Sequence, residues 1–339
     1  MAANSTNITL ACNASTINDF LTQALSDGLN VTQTLSICPS ACNLAWGIGN
    51  PDISGIGAMA AYIVQAVMTF ICILYAAISA KKQSSEGVDE DSDERRFKNL
   101  NLIVDTTAQF SIFISIAALV RKYTGGTFFE LAFLQVLVLM QFFSILVVCV
   151  TLYVAFDESY TADDRFDRRI SCTLYFMIGL GLMFANMFEV NTSEAMQSAI
   201  SQVFSGCPQY TDLEFGYIYI NLPHSLKTRL LFYLLGLPGM ILFSLWILVY
   251  IITGVHHLGK ERWAGVGLAL IIYGPLLYFL SCMVGARDIM QKVTGKAFQD
   301  NEWGFWQILA LLMWAPVFVE LIYFCGFIPK RFALLSTRN

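Results

Sequence analysis

Two acids lie inside apolar runs of this chain and a third closes one, and they are the natural starting point for any chemistry. Asp105 follows Asn101 by four residues and precedes Gln109 by four, a spacing that stacks all three on one helix face. An aspartate at depth costs about 2.5 kcal/mol or more on insertion scales, so such a stripe is expected to face a bundle interior. A carboxylic acid kept dry there is a usable proton donor. The competing expectation, of equal weight, is an inter-helix hydrogen bond to Gln65 or Gln141. Glu320 sits deeper, with Trp314, Pro316, Tyr323 and Phe324 at helical spacing around it, and Glu189 closes an apolar run beside Asn186. Asp105, Glu320 and Glu189 are therefore the catalytic candidates. The candidates for binding substrate are Asn101 and Gln109, on the polar face of Asp105, and Phe113, Tyr273, Trp314 and Tyr323, because aromatic faces stabilise a developing cation by about 2 kcal/mol or more when desolvated.

Other motifs carry less. Asp52, in the run Asn50-Pro51-Asp52-Ile53-Ser54, reads as part of a helix start after an Asn-Pro turn more than as a catalyst. Asp163-Asp164-Arg165-Phe166-Asp167 has the D-D-x-x-D spacing that suits magnesium on a diphosphate. Its neighbours Arg165, Arg168 and Arg169 favour a self-compensating charged loop outside the apolar core. His256 and His257 are adjacent and so off metal-ligand spacing for one helical face. No metal and no cofactor is expected.

The elements that must position these residues are membrane helices. Of 339 residues, 56% are hydrophobic and only 13% charged, with a mean hydropathy of +0.59, well below the roughly 25% charged residues of an ordinary soluble domain. Apolar runs of about 20 residues fall at 54–80, 101–120, 131–156, 170–189, 230–253, 265–284 and 304–327. The expectation is an all-α, seven-helix transmembrane bundle with a lumenal or extracellular N-terminus and a cytoplasmic C-terminus. It divides into a glycosylated lumenal segment, 1–52, a membrane domain, 53–329, and a short cytoplasmic tail, 330–339. Sequons at Asn4, Asn7, Asn13 and Asn30, with another at Asn191, support that orientation. So does the charge bias, with thirteen of the 20 Lys and Arg residues on the cytoplasmic side. No cleavable leader is apparent, and the first apolar run reads as a signal anchor.

Two connecting segments are long. The acidic stretch 81–98 reads as an unstructured cytoplasmic loop. The lumenal stretch 190–225 contains an amphipathic part, which reads as an interfacial helix more readily than as a cover over the bundle mouth. Cys12, Cys38, Cys42 and Cys207 fall on the lumenal side and allow three pairings. Cys72, Cys149, Cys172, Cys282 and Cys325 fall in apolar helices and read as small packing residues. A net charge of -5 without a basic face argues against nucleic acid as a partner.

The run 47–57, GIGNPDISGIG, followed by an apolar helix containing a Gln, together with Asp167-Arg168-Arg169 and the run 179–189, GLGLMFANMFE, resembles a large set of fungal multispan proteins. Among them the chain is similar, from about Cys38 onward, to the membrane-bound terpene cyclases of fungal meroterpenoid pathways, of the ascofuranone, ascochlorin and macrophorin type. The resemblance implies an isomerase that protonates a terminal epoxide or olefin on a farnesyl chain and lets the cation cyclise. Its partners would be a lipophilic prenylated substrate, membrane lipid and other enzymes of the pathway, in the endoplasmic reticulum rather than the plasma membrane. A seven-helix surface receptor is the main rival, opposed by the lack of Asp-Arg-Tyr after the third run and of Asn-Pro-x-x-Tyr in the seventh. A channel or transporter is a third reading, without a filter motif or charged ring to favour it.

Overall fold

A computed structural model describes residues 12–38, 40–82, 90–155, 162–187, 194–207, 262–320 and 322. Among them there are helices and no strand. A small cap is built from α1 (Ile17–Ser26), α2 (Val31–Ile37) and α3 (Ser40–Trp46), and a single turn, α4 (Pro51–Ser54), leads into the long helices. These are α5 (Ile56–Lys82), α6 (Glu90–Thr124), α7 (Phe128–Ala155), α8 (Ala162–Met187) and α10 (Arg262–Thr294); α9 (Glu194–Gly206) and α11 (Phe305–Leu312) are shorter.

Four helical stretches are long and apolar enough to cross a membrane: Pro51–Ile78, Leu100–Thr124, Phe128–Leu152 and Gly265–Ala297. The shortest have 25 residues, about 38 Å at 1.5 Å per residue, against a hydrocarbon core of about 30 Å. Ile170–Asn186 and Gln307–Glu320 are apolar but shorter. The expected span 230–253 lies outside the described residues, as does the tail 330–339.

α7 is the central post. It is buried along nearly its whole apolar length, where the other three long stretches are buried over half or less, and it packs against α5, α6, α8 and α10. Its apolar residues point in every direction, as a helix ringed by other helices requires. The surrounding helices instead leave apolar stripes on their outer faces, such as Ile63, Val67, Phe70, Leu74 and Ile78 on α5. Where α8 meets α7, Gly179 leaves room for the Ile145 side chain: a Cβ there would come within 2.8 Å of its Cδ1.

Two expected loops begin helices instead. α6 already starts at Glu90, inside the acidic stretch, and α8 starts at Ala162, so Asp167 and Arg168 belong to a helix. Acidic residues early in a helix face the positive end of its macrodipole, which favours both starts.

The cap is a folded unit at one end of the bundle. Phe20, Leu21, Val31 and Leu35 share its core with Ala199 and Val203 of α9. α9 packs on α1, α2 and α3, so the amphipathic helix covers the cap. Disulfides join Cys12 to Cys38 and Cys42 to Cys207, with Cα separations of 5.7 and 5.8 Å. Thr16 caps α1 and Asn30 caps α2, each side chain accepting a backbone N–H from the first turn. The Trp46 and Phe128 rings meet edge to face at 5.9 Å, seating the cap on the start of α7.

Candidate functional site

Polar side chains gather at three levels of the bundle. At the capped end, the run 47–57 threads between α7 and the connector from α10 to α11. Thr127 and Glu130 form a reciprocal cap at the start of α7, where the Thr127 N–H donates to Glu130 Oε2 at 3.0 Å and the Glu130 N–H donates to Thr127 Oγ1 at 3.3 Å. Glu130, 4% exposed, also accepts from Asn50 Nδ2 and, at 2.8 Å, from Arg121 Nη2. Asn50 Oδ1 in turn caps α4 by accepting the Asp52 N–H at 3.1 Å, and Asp52 is exposed.

Across from Glu130 lies Asp300. It is fully buried, and neither carboxyl oxygen has a hydrogen-bond partner of good geometry among the described residues. Burial pushes its carboxyl above the ordinary carboxylate range; Ser54 and Arg287 pull it back, and the neighbouring Glu130 adds to the rise. Gly49 makes room for it: with φ at +95°, a Cβ there would stand 2.4 Å from Asp300 Oδ1. Gln307, from α11, closes the knot by donating to the Pro51 and Glu302 carbonyls and accepting the Gly57 N–H at 2.8 Å.

At mid-depth the bundle holds an uncharged polar centre. Gln65 of α5 donates through Nε2 to Ser111 Oγ of α6 at 2.8 Å, and to Gln141 Oε1 and Ser144 Oγ of α7 at 2.6 and 3.0 Å. Thr69 Oγ1 lies 3.2 Å from Ser144 Oγ. All five side chains are fully buried. Aromatic rings stand beside them: Phe110 meets Trp314 at 5.4 Å and Tyr62 at 6.4 Å between centroids. Trp314 is fully buried, with its Nε1 unpartnered among the described residues.

At the end away from the cap, Asp105 faces α8. Arg168 Nη1 donates to both carboxyl oxygens, at 3.1 and 2.9 Å, and the Tyr175 hydroxyl donates to Oδ1 at 3.4 Å. Arg168 and Tyr175 are seven residues apart and share one face of α8. Gln109 lies beside Tyr175 but is exposed, and the Oδ1 of Asn101 is buried without a partner among the described residues. The expected stripe thus exists, yet it lies in the groove between α6 and α8. Neither Gln65 nor Gln141 is bonded to Asp105; a guanidinium from the expected charged loop is.

The remaining candidates are scattered. Phe113 is 57% exposed on the outer face of α6, away from the interior position expected for a substrate contact, because α6 turns its Phe110 and Ser111 face inward. Tyr273 joins α10 to α5, donating to the Ala66 carbonyl at 3.1 Å and packing on Phe70 at 5.6 Å. Glu320 is half-buried and without a hydrogen-bond or ion-pair partner among the described residues; Trp314 and Val317, both fully buried, precede it on the inward face at spacings of three. Asn13 and Asn30 are exposed on the cap. Glu189, Tyr323, Asn4, Asn7, Asn191, His256, His257 and Cys325 lie outside the described residues.

Among the described residues no cluster of three His, Cys, Asp or Glu side chains is placed to hold a metal ion. Sequence inspection missed Asp300, Glu130 and the Gln65–Gln141 centre as sites in their own right. The two glutamines in apolar runs were visible signals; Asp300, in a connector, offered none. No family model, no curated protein and no solved structure matches the chain.

Proposed function

We propose that this chain is a seven-span membrane enzyme of the endoplasmic reticulum, with a lumenal, glycosylated cap, that cyclises a prenylated lipophile by protonating it. One observation carries the reading: Glu320 ends the stripe Trp314, Val317, Glu320, unpartnered among the described residues, on a segment whose Trp314 ring is sealed inside the bundle. Asp105 has both oxygens occupied by Arg168 and Tyr175, so Glu320 takes the role of acid and the Asp105–Arg168 pair ties α6 to α8. The acid gives its proton to a terminal epoxide oxygen, the C–O bond opens as a neighbouring alkene forms a C–C bond, and the final cation loses a proton. The product is an isomer of the substrate, and aromatic faces stabilise the intermediate cations.

The topology supports the span count. Cys207 is bonded to Cys42 in the cap, whereas Arg262 opens a helix of 33 residues that leads into a connector whose Gln299 N–H donates to the Ile48 carbonyl of the run 47–57. The apolar run 230–253 is the one available between them. Exposed Asn13 and Asn30 on a disulfide-bonded cap fit glycan acceptors in an oxidising lumen.

The test is turnover of a farnesyl epoxide by microsomes carrying the intact chain, wild type against Glu320→Gln and Asp105→Asn, with products read by mass spectrometry and NMR. Cyclised isomer from wild type, lost in Glu320→Gln and retained in part by Asp105→Asn, is the expected result. Turnover undiminished in Glu320→Gln removes the assignment of the acid, and no cyclised product from wild type removes the enzyme reading. The disulfide-bonded cap over one end of the bundle also suits a surface receptor, which would reach the plasma membrane and answer a ligand in whole cells.

A further inference from the structure

The outward stripe of α5 is what lipid asks for: Ile63, Val67, Phe70, Leu74 and Ile78 are open and all are apolar. The outward stripe of α6 differs. It runs Gln109, Phe113, Ile116, Val120 and Tyr123, so an exposed amide stands in it, nine residues in from Leu100, where the apolar stretch Leu100–Thr124 begins. That is about 14 Å at 1.5 Å per residue, close to midway through a hydrocarbon core of about 30 Å. Acyl chains offer an amide nothing to bond, and polar side chains at such depth are held against protein. The outward Ser281 of α10 makes the contrast, since its hydroxyl donates to the Tyr278 carbonyl of its own helix at 2.7 Å.

Spacing, chemistry and area agree on what fits this face. The steps along the stripe are four, three, four and three residues, a repeat of 3.5 that keeps one seam turned toward a second helix, with a single polar side chain to set its register. Tyr175 takes up one side of the Gln109 amide. The rest is self-complementary, because two primary amides pair through reciprocal N–H···O bonds. Leu174 and Ile178 flank Tyr175 on α8 and are open too. From 42 to 68% of each of Phe113, Ile116, Val120, Tyr123, Leu174 and Ile178 is exposed, and with Gln109 they offer roughly the 800 Å² that each partner brings to a standard interface. The run 230–253 is ill placed to cover the same face. α6 and α10 both pack on α5 and α7, and so lie on opposite sides of that pair. Eight residues tie the run to Arg262 at the start of α10, about 30 Å at full stretch. A helix outside α6 would stand about three rows of 8–10 Å away from α10, at the limit of that link.

We infer that the outer face of α6 around Gln109 is the surface on which a second copy of this chain docks in the membrane, with the two Gln109 amides paired across a two-fold axis. A two-fold contact sets the same patch against itself, which is what a self-complementary amide in an apolar seam requires. The inference goes beyond the enzyme reading and does not rest on it.

The test follows association of the intact chain in liposomes at falling protein-to-lipid ratio, by energy transfer between copies carrying donor and acceptor dyes at their C-termini. Wild type is expected to form a reversible dimer. Gln109→Leu, which keeps most of the bulk and removes the amide, weakens it about tenfold, as the loss of reciprocal hydrogen bonds in a bilayer gives. Val67→Ala, on the outer stripe of α5, leaves it unchanged. Phe113→Cys and Ile116→Cys each cross-link to their own counterparts on mild oxidation, whereas Leu74→Cys on α5 does not. A wild-type chain that stays monomeric at every dilution overturns the inference, whether lipid or the run 230–253 covers the amide. So does a dimer that Gln109→Leu leaves intact, or one that cross-links through Leu74→Cys and not through Phe113→Cys. A dimer of this kind from a chain that cyclises nothing keeps the surface and removes the enzyme reading.

Discussion

Gly49→Ala is the most direct probe of the knot at the capped end, because two separate penalties meet there. The residue has φ at +95°, and holding an L side chain on the left-handed side costs about 1–2 kcal/mol. Its new Cβ would also stand 2.4 Å from Asp300 Oδ1, 2.9 Å from Asp300 Cγ and 3.2 Å from the Phe298 ring. The Asp300 backbone is held by its carbonyl, which accepts the Ile56 N–H at 2.9 Å and Arg287 at 3.3 Å, and its side chain is fully enclosed, so turning away displaces neighbours; overpacking of this kind costs about 1–3 kcal/mol. The two together give about 2–5 kcal/mol. Gly28→Ala is the internal control: φ is +63° and a Cβ there meets nothing within 4 Å, so only the conformational part applies, about 1–2 kcal/mol. Thermal inactivation of monodisperse protein in detergent, followed by size-exclusion chromatography, would rank wild type above Gly28→Ala and Gly28→Ala well above Gly49→Ala. Equal losses for the two alanines would refute the packing of Asp300 against Gly49.

Three further outcomes follow from the same geometry. Glu130→Gln puts a donor where Asn50, Arg121 and the Thr127 N–H all donate, so a loss of about 2–3 kcal/mol is expected in the same thermal assay. Because burial raises the carboxyl of Asp300 above its ordinary 3.8, the folded state binds that proton more tightly than the unfolded one. Its contribution to stability is therefore intact below pH 3.8 and declines as pH rises towards the folded value; Asp300→Asn should flatten that decline in a pH series of melting temperatures. Arg168 and Asp105 are each about 30% exposed, so their coupling in a double-mutant cycle of Arg168→Met and Asp105→Asn should be about 1 kcal/mol or less, with Arg168→Met alone worse than the double variant.

How much of this could be read from the chain alone varied with the range of the interaction. Long apolar helices and their approximate places were legible, because a membrane-length apolar run needs no partner to be recognised. The disulfide pairing was not: four cysteines near the cap allow three pairings, and only the packing of α9 onto α1, α2 and α3 brings Cys207 to Cys42. The glycines of the run 47–57 carried a visible turn signal, yet what makes Gly57 necessary is Gln307, 250 residues away. The sequence offers Gln65 and Gln141 as partners for Asp105, and they bond to each other instead. Asp105 went to Arg168 because the charged run 163–169 continues into a helix, a start that the apolar boundary at Ile170 concealed. The spacing of Arg168, Cys172 and Tyr175 on one face was the signal that would have revealed it.

The bridge between Cys42 and Cys207 spans 165 residues, and that distance sets an order of events during synthesis. Cys42 emerges early, with Cys12 and Cys38 as its nearest thiols, and must stay reduced while α5, α6, α7 and α8 are made. Its own partner reaches it only after those four helices have been made and α9 has returned to the end where Cys42 waits. A closed bridge is thus a record that the first half of the bundle was assembled in the right sense. A chain that mispairs Cys42 with Cys12 or Cys38 would leave a free thiol at Cys207 and α9 untied from the cap.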